Sequence, residues 1–396
     1  MDFQHQYTKQ QTLFRKEVSS WLDSNIPDEF KLEATPDITS ENYWNKYSLF
    51  RTRLASKGWL TPNQSREDGG AGLKADKALI LVEELEERGL LWILDLGTSA
   101  LAATIKEFGT AYQKVNSMPS LSNGEITLWY TANLDPITEM GSNNLTASLD
   151  GDDFLISGDC ILYGYHPSPS HLWISSYTSH PDPKHGLTAT FLVPANLNGL
   201  VLQNPDSLSD TSGHKVFFND VWVPSACLIA ADVDTYSIFH SVTNNPQMLS
   251  TVPGDAAYVS DLISYANETT VSGKILSEYP IFKQLLMEIY TSSEVIRIMK
   301  VRNSWMLSTN QSLSYEKAHV TLLEKQHSKR LAQVARDIMG IYALLDSEDT
   351  HSRINGRLLS LQKNSLYTGD HSDNIDRESD EIAKHLGLGK TKPTST

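Results

Sequence analysis

Apolar side chains in the first third of the chain recur at three- and four-residue steps. Phe14, Val18, Trp21 and Leu22 do so closely and Leu49, Leu54 and Trp59 more loosely, a spacing that lines one face of a helix and predicts helices from about residue 3 to about residue 115. SREDGGAGL, Ser65 to Leu73, is a glycine-rich break, and the KADKALILVEELEERGLL behind it has the apolar density of a buried helix. KEFGTAYQK and MPSLSNGEI close this helical region. From Ile126 the pattern changes to short alternating runs separated by Gly, Asp and Pro: LWYTANL, LTASLDGDDFLISGD, LWISSYT, LTATFLVP and VFFNDVWVP. A period of two predicts strands. After about residue 235 helical periodicity returns through PIFKQLLMEIYTSSEVIRIM and QVARDIMGIYALL, where Val334, Ile338, Ile341, Tyr342 and Leu345 are expected on one face. The expected domains are a helical one over 1–125, a small β domain over 126–234, a helical bundle over 235–390 and a tail over 391–396.

Composition narrows the function classes. The 396 residues are 40% hydrophobic and 20% charged, enough apolar material for more than one core. A formal net charge of -15 without a dense basic run argues against nucleic acid as a partner. Cys160 and Cys227 are far apart and form neither a metal knuckle nor a redox pair, which fits a reducing compartment. The polar, helix-patterned N-terminus lacks the layout of a signal peptide, and no apolar run reaches the length of a membrane span, so a cytoplasmic protein is expected. The 12 histidines form no HExxH or other close metal pair, and no GxSxG elbow marks a serine hydrolase. His166, His171, His180 and His185 read as surface residues flanking the longest β loop, and Trp129, Trp173 and Trp222 as core residues of strands. GKT near the C-terminus matches a phosphate loop by chance, because the loop's first glycine is missing five residues before Gly389.

Eight phrases, in order, resemble the acyl-CoA dehydrogenase family: KGWL, EDGGAGL, EEL, EFGTAYQK and NGEI in the first helical region, then DGDDFLISGD, TATFLVP and VFFNDVWVP in the strand region. The resemblance implies an α+β fold with an N-terminal helical domain, a middle small β domain and a C-terminal helical bundle. It also implies FAD held between the β domain and the bundle, an acyl thioester on CoA or a carrier protein as substrate, and a dimer or tetramer, with a homologue as one possible second subunit. The chemistry needs a carboxylate to take the Cα proton, a flavin to take hydride from Cβ, and donors to hold the thioester carbonyl.

The same resemblance nominates residues. The family's glutamate base falls in SLYTGD, where Thr368 stands in its place; shifting the insertion so that Asn374 to Arg377 align puts Asp370 near the base position instead, and a solvated turn aspartate is the alternative reading. Asp255 is the one carboxylate offered by an earlier bundle helix, and a first-turn helix acid is its alternative reading. TANLDPITEMGSNN matches the flavin loop and nominates Tyr130, Thr131, Gly141 and Ser142. After SGD the family carries Lys, Trp and Thr or Ser; here Cys160, Leu162 and Gly164 stand there, with Leu162 left to cover an apolar ring and Tyr163 able to stack only if the register moves by one. The family's RxxFG arginine is Thr269 and its phenylalanine Ser272, and the glutamine of QxxGGxG is Asp337, so charge-assisted contacts to a diphosphate are lost. Either FAD binds in an altered way, or weakly, or not at all. The readings that follow are a flavin oxidoreductase in a specialised pathway, with dehydrogenation or oxygenation as its reaction, a catalytically silent subunit or scaffold of the same fold, and a flavin-free enzyme acting on a tethered acyl or polyketide chain.

Overall fold

The computed structural model describes residues 7–31, 40–131, 144–178, 188–203, 213–230, 256–309, 311–346, 349, 351–352, 354–367 and 372–388. It has an N-terminal helical part, a middle sheet and a C-terminal helical part. By contacts, the chain divides into two compact units: Met1–Pro36, Lys74–Leu91 and Leu249–Thr396, and Asp37–Leu73 with Trp92–Met248.

The first unit is helical. It contains α1 (Lys9–Asn25), and α3 (Ala75–Glu87), α2 being the Glu41–Ser56 helix of the other unit. Thr8 opens α1 with a reciprocal capping box to Gln11. Arg15 of α1 reaches Glu83 and Glu84 of α3, the latter at 3.0 Å, and Arg88 pairs with Glu84 at 2.9 Å and Asp23 at 2.8 Å. The bundle adds α6 (Ala256–Glu268), α7 (Pro280–Ser308), α8 (Glu316–Met339), α9 (Arg357–Tyr367) and α10 (Ser372–His385). Pro280 stands at the first helical position of α7, where a missing N–H costs nothing. Leu262 of α6, Ile289 of α7, Leu331, Val334 and Ala335 of α8 and Leu361 of α9 form its core. Between α6 and α7 lies a hairpin of β9 (Thr270–Val271) and β10 (Lys274–Ile275), the chain's last two strands.

The second unit places α2, α4 (Leu96–Phe108) and α5 (Ala111–Ser122) with an eight-stranded sheet. Its strands are β1 (Leu128–Tyr130), β2 (Thr146–Asp150), β3 (Asp153–Leu162), β4 (His171–Thr178), β5 (Thr188–Pro194), β6 (Leu200–Gln203), β7 (His214–Val223) and β8 (Leu228–Ala230), in the order β6-β7-β3-β2-β4-β5-β8. β1 pairs with β4 in parallel, Tyr130 opposite Trp173, and β2 pairs with β4 further on, Thr146 opposite Tyr177. β4 thus pairs along one edge with β1 as far as Thr131 and with β2 from Leu145. β4 serves two cores at once. Leu172 and Ile174 join Phe154, Phe191 and Val216 on one face, while Trp173 joins Leu101, Ile105 and Leu128 beside α4 and α5 on the other. Burial on both faces explains its continuous apolar run.

Three local expectations are corrected. α8 stops at Met339 because Gly340 takes φ 60°, and the turn that follows leaves Ile341 73% and Tyr342 43% exposed instead of on the helix's core face. Trp222 is 53% exposed, on the outer side of β7, whereas Trp129 and Trp173 are buried as read. His166 and His171 are half-buried, not surface residues.

His327 of α8 is 6% exposed, with Nδ1 2.6 Å from Ser292 Oγ of α7 and a buried Nε2 that has no partner. A second ring proton would enter apolar surroundings, so burial lowers its pKa from 6.5 to about 4. The unfolded chain then binds the extra proton first. The stabilisation that His327 contributes is complete above its unfolded pKa of 6.5 and is lost as pH falls toward 4, about 3 kcal/mol in all. Chemical denaturation across this range is expected to show that loss, and His327→Gln to flatten the slope; an unchanged slope in the variant would show that other groups set it.

Candidate active site

Tyr130, Thr131 and Gly164, three of the nominated residues that the structure describes, meet where β1 and β3 end. Tyr130 and Tyr163 form an antiparallel bridge, Tyr130 N–H donating to the Tyr163 carbonyl at 2.9 Å and Tyr163 N–H to the Tyr130 carbonyl at 2.7 Å. The peptides are trans, so the N–H of Gly164 is antiparallel to the Tyr163 carbonyl and points away from β1. It makes no hydrogen bond among the described residues. Thr131 is buried, its N–H donating to the Trp173 carbonyl at 3.3 Å and its Oγ1 lying 3.4 Å from the same oxygen. Gly164 allows no side chain at all: a Cβ there would sit 2.4 Å from the Leu128 carbonyl oxygen and 2.4 Å from Cδ1 of Trp129.

Behind this strand end the indole of Trp129 stacks on His214 at 3.8 Å between centroids and 5° between planes. His214 Nε2 donates to the Gly164 carbonyl at 3.0 Å, and Trp129 Nε1 donates to the His166 carbonyl at 2.7 Å. Burial lowers the pKa of His214, partly offset by the Gly164 carbonyl, and burial likewise lowers that of His166. Both rings are neutral at pH 7.

On the other side of Tyr130 lies a buried polar cluster. The Tyr130 ring lies against the first turn of α4 at Gly97. Asp95, 5% exposed, caps that helix, accepting from Gly97 N–H at 3.2 Å and Thr98 Oγ1 at 3.1 Å, with a strained φ of 39°. Arg51 of α2 is fully buried; its Nη1 donates to the Ile93 carbonyl at 2.9 Å and Tyr47 OH at 3.3 Å, its Nη2 to Thr98 Oγ1 at 3.3 Å, and its Nε has no partner. Burial raises the pKa of Asp95 while Arg51 opposes the rise. Burial and then the Asp95 charge hold Tyr130 well above its ordinary value and push up Tyr165, whose phenol packs into the cluster although the residue is 38% exposed, to about 12. The phenols are neutral donors at working pH. Tyr47, Trp92, Trp44 and His166 pack around this cluster, with Tyr47 and Trp92 parallel at 5.6 Å.

Tyr130, Thr131 and Gly164 are thus brought together. Leu162 is not: it is fully buried among Trp129, Cys160 and Val216 inside the sheet, so it cannot cover a ligand ring, because period-two alternation turns it inward. Gly141, Ser142, Asp255, Thr368, Asp370, His180 and His185 lie outside the described residues. Thr269 precedes the β9–β10 hairpin and Asp337 is exposed on α8. Measured against FAD, the strand end offers one unclaimed backbone donor, the Gly164 N–H, beside a threonine whose N–H and hydroxyl are already spent on the Trp173 carbonyl. Thr269 and Asp337, where the resemblance expects diphosphate contacts, supply no cation. Among the described residues no group of three His, Cys, Asp or Glu side chains is placed to hold a metal, and no helix is long and apolar enough to cross a membrane. Sequence reading missed Arg51, Asp95 and His214, whose partners lie 42 to 50 positions away for Arg51 to Ile93 and His214 to Gly164.

Two family models match the chain, acyl-CoA dehydrogenase N-terminal domain over residues 8–125 and acyl-CoA dehydrogenase C-terminal domain over residues 248–370. The chain is similar to acyl-CoA dehydrogenase FadE26 of Mycobacterium tuberculosis (strain ATCC 25618 / H37Rv), 23% identical over 77% of each protein. It is also similar to L-prolyl-[peptidyl-carrier protein] dehydrogenase of Serratia sp. (strain ATCC 39006), 23% identical over 89% of this chain and 90% of that one. Its fold is that of a chain in the crystal structure of the ChsE4-ChsE5 complex from Mycobacterium tuberculosis, with a TM-score of 0.78 at 19% identity, covering 98% of this chain and 100% of that chain.

Arg51 opposes the buried Asp95 carboxylate through Thr98, so Arg51→Met is expected to cost about 3 kcal/mol in unfolding free energy. Adding Asp95→Asn to that variant should recover part of the loss. Additive losses in the double-mutant cycle would mean that the two groups are not coupled.

Proposed function

The chain belongs to the acyl-CoA dehydrogenase family, and from that premise we propose that it is a flavin-dependent oxidoreductase acting on an acyl thioester carried by CoA or by a carrier protein. The observation that supports this most is the bridge between Tyr130 and Tyr163, which sets a buried threonine and the unclaimed Gly164 N–H side by side where the family meets its flavin. FAD, when bound, supplies the acceptor for the hydride that leaves Cβ. Tyr130, Thr131 and the backbone of Gly164 hold the ring edge, and Gly141 and Ser142 complete the loop contacts. Asp370 takes the Cα proton in place of the family's glutamate. Tyr130, neutral because burial and Asp95 suppress its ionisation, keeps negative charge away from the site where the enolate develops. Assembly is as a dimer or tetramer, or with a homologue.

A second reading rests on the missing cations at Thr269 and Asp337. In it the chain is a silent subunit whose homologue carries the chemistry. The name of the ChsE4-ChsE5 complex records that a protein of this fold pairs with another chain.

Visible absorbance and FAD content of the purified full-length protein separate the readings. Near-stoichiometric flavin that is bleached anaerobically by an acyl thioester is the expected result, and Asp370→Asn should slow that bleaching on the order of 100-fold or more with flavin still bound. No flavin after incubation with excess FAD would remove the oxidoreductase reading and leave the silent subunit.

A further inference from the structure

Asp95 is 5% exposed, yet among the described residues it makes no ion pair. Its oxygens accept from the Gly97 N–H and Thr98 Oγ1. Arg51 meets it only through Thr98, the remaining guanidinium hydrogen bonds going to the Ile93 carbonyl and Tyr47 OH. An aspartate withdrawn this far from water ordinarily has a cation against it. Two phenols lie beside it instead. A Cβ on Gly97 would sit 2.3 Å from Cδ1 of Tyr130, which places that ring on the turn that Asp95 caps, and the Tyr130 oxygen shares the Gly97 N–H with the carboxylate. Tyr165 packs on Trp92, just ahead of Asp95 in the chain, with 6.2 Å between centroids, and its hydroxyl has no hydrogen-bond partner among the described residues. Tyr130 is half-buried and Tyr165 38% exposed, so each ring presents surface to a ligand.

The cluster has two electrical sides. Burial and then Asp95 raise the pKa of both phenols, and Arg51 has no part in either shift. At His166 burial lowers the pKa, opposed by the Ser168 carbonyl and aided by Arg51. The potential is therefore negative at the two tyrosines and positive at the histidine.

Resting on the flavin reading above, we propose that Tyr130 and Tyr165, with Asp95 behind them, recognise a positively charged nitrogen in the acyl group, so that the substrate class is an aminoacyl thioester. An ammonium is attracted to the faces of electron-rich rings and to phenol oxygens, and the buried carboxylate supplies the opposite charge without touching it. Tyr130 precedes Thr131 and Tyr165 follows Gly164, the residues that the flavin reading assigns to the ring edge. An amine close to the reacting Cα–Cβ bond comes within their reach.

Titration calorimetry on the full-length protein, with pantetheine thioesters matched in shape, tests this. The pairs are β-alanyl against butanoyl and α-aminobutanoyl against α-methylbutanoyl, each exchanging an ammonium for a methyl. At least one amine is expected to bind about tenfold more tightly than its methyl partner. Asp95→Asn and Tyr165→Leu should each bring that ratio close to one, and because the ratio is taken within each variant, a general change in affinity cancels. Amines that bind no more tightly than their methyl partners, or a preference that survives in both variants, overturn the proposal. If Asp95→Asn does not fold, Tyr165→Leu decides alone. FAD uptake without the preference keeps the flavin reading and removes the proposal, whereas the preference in a protein that takes up no FAD removes the flavin reading and keeps the recognition site.

Discussion

Two backbone hydrogen bonds between Tyr130 and Tyr163 hold the rest of this arrangement in place. β1 is three residues long and pairs with β4 alone within the sheet. A strand of that length has few ladder bonds with which to fix its direction. The bridge ties its end to the end of β3, and everything local follows from that. Gly164 is drawn against Leu128 and Trp129 until no Cβ fits, the Tyr163 carbonyl is used up, and the Gly164 N–H is left facing outward. The same tie sets Tyr130 between the strand end and the first turn of α4, so the charge cluster on one side and the backbone donors on the other share one aromatic wall.

The cluster itself illustrates why burial decides protonation here. Asp95 and Arg51 are both withdrawn from water, yet they meet through Thr98, which accepts from the guanidinium and donates to the carboxylate. The relay lets one hydroxyl satisfy both ions at once, a geometry that only a threonine or serine at that position allows. The guanidinium also holds the Ile93 carbonyl, so the turn before α4 and the start of α4 are anchored to α2 by a single side chain. Buried charges of this kind stabilise only when their partners are all present. Tyr130 and Tyr165 remain protonated because burial, and then the field of Asp95, suppress their ionisation.

The sequence made the layered order of the fold legible because period changes from 3.6 to 2 and back are written in the apolar positions themselves. It was less informative where one element serves two environments or where a single backbone angle intervenes. β4 is buried on both faces, so its alternation is faint, and Gly340 ends α8 although the apolar period runs on past it. Trp222 has the period of a core residue and faces outward, since an alternating pattern fixes which residues share a face and not which face is covered. At the site, family phrases pointed to Tyr130, Thr131 and Gly164, three neighbours in space. They said nothing of His214 or Arg51, because a ring stacked on Trp129 from a strand 85 positions later leaves no periodic trace. Leu162 was misjudged for the opposite reason: a place in a motif was given more weight than the strand alternation that turns it inward.

The strand end and the two positions where the resemblance expects cations offer a flavin unequal chemistry. A diphosphate held without a guanidinium keeps its hydration or is met by neutral donors, and neither Thr269 nor Asp337 supplies a cation on a chain whose net charge is already -15. Whatever affinity a flavin has must then come from the ring end, where shape and rigid amides act without net charge, or from a cation brought by another subunit. These two sources differ in how salt affects them. Contacts from uncharged backbone groups are dipolar and short-ranged and are insensitive to ionic strength, whereas a borrowed guanidinium acts partly over distances that added salt screens. Trp129 stacked on His214, with one hydrogen bond to the Gly164 carbonyl and one to the His166 carbonyl, holds the backbone beyond β3 from behind.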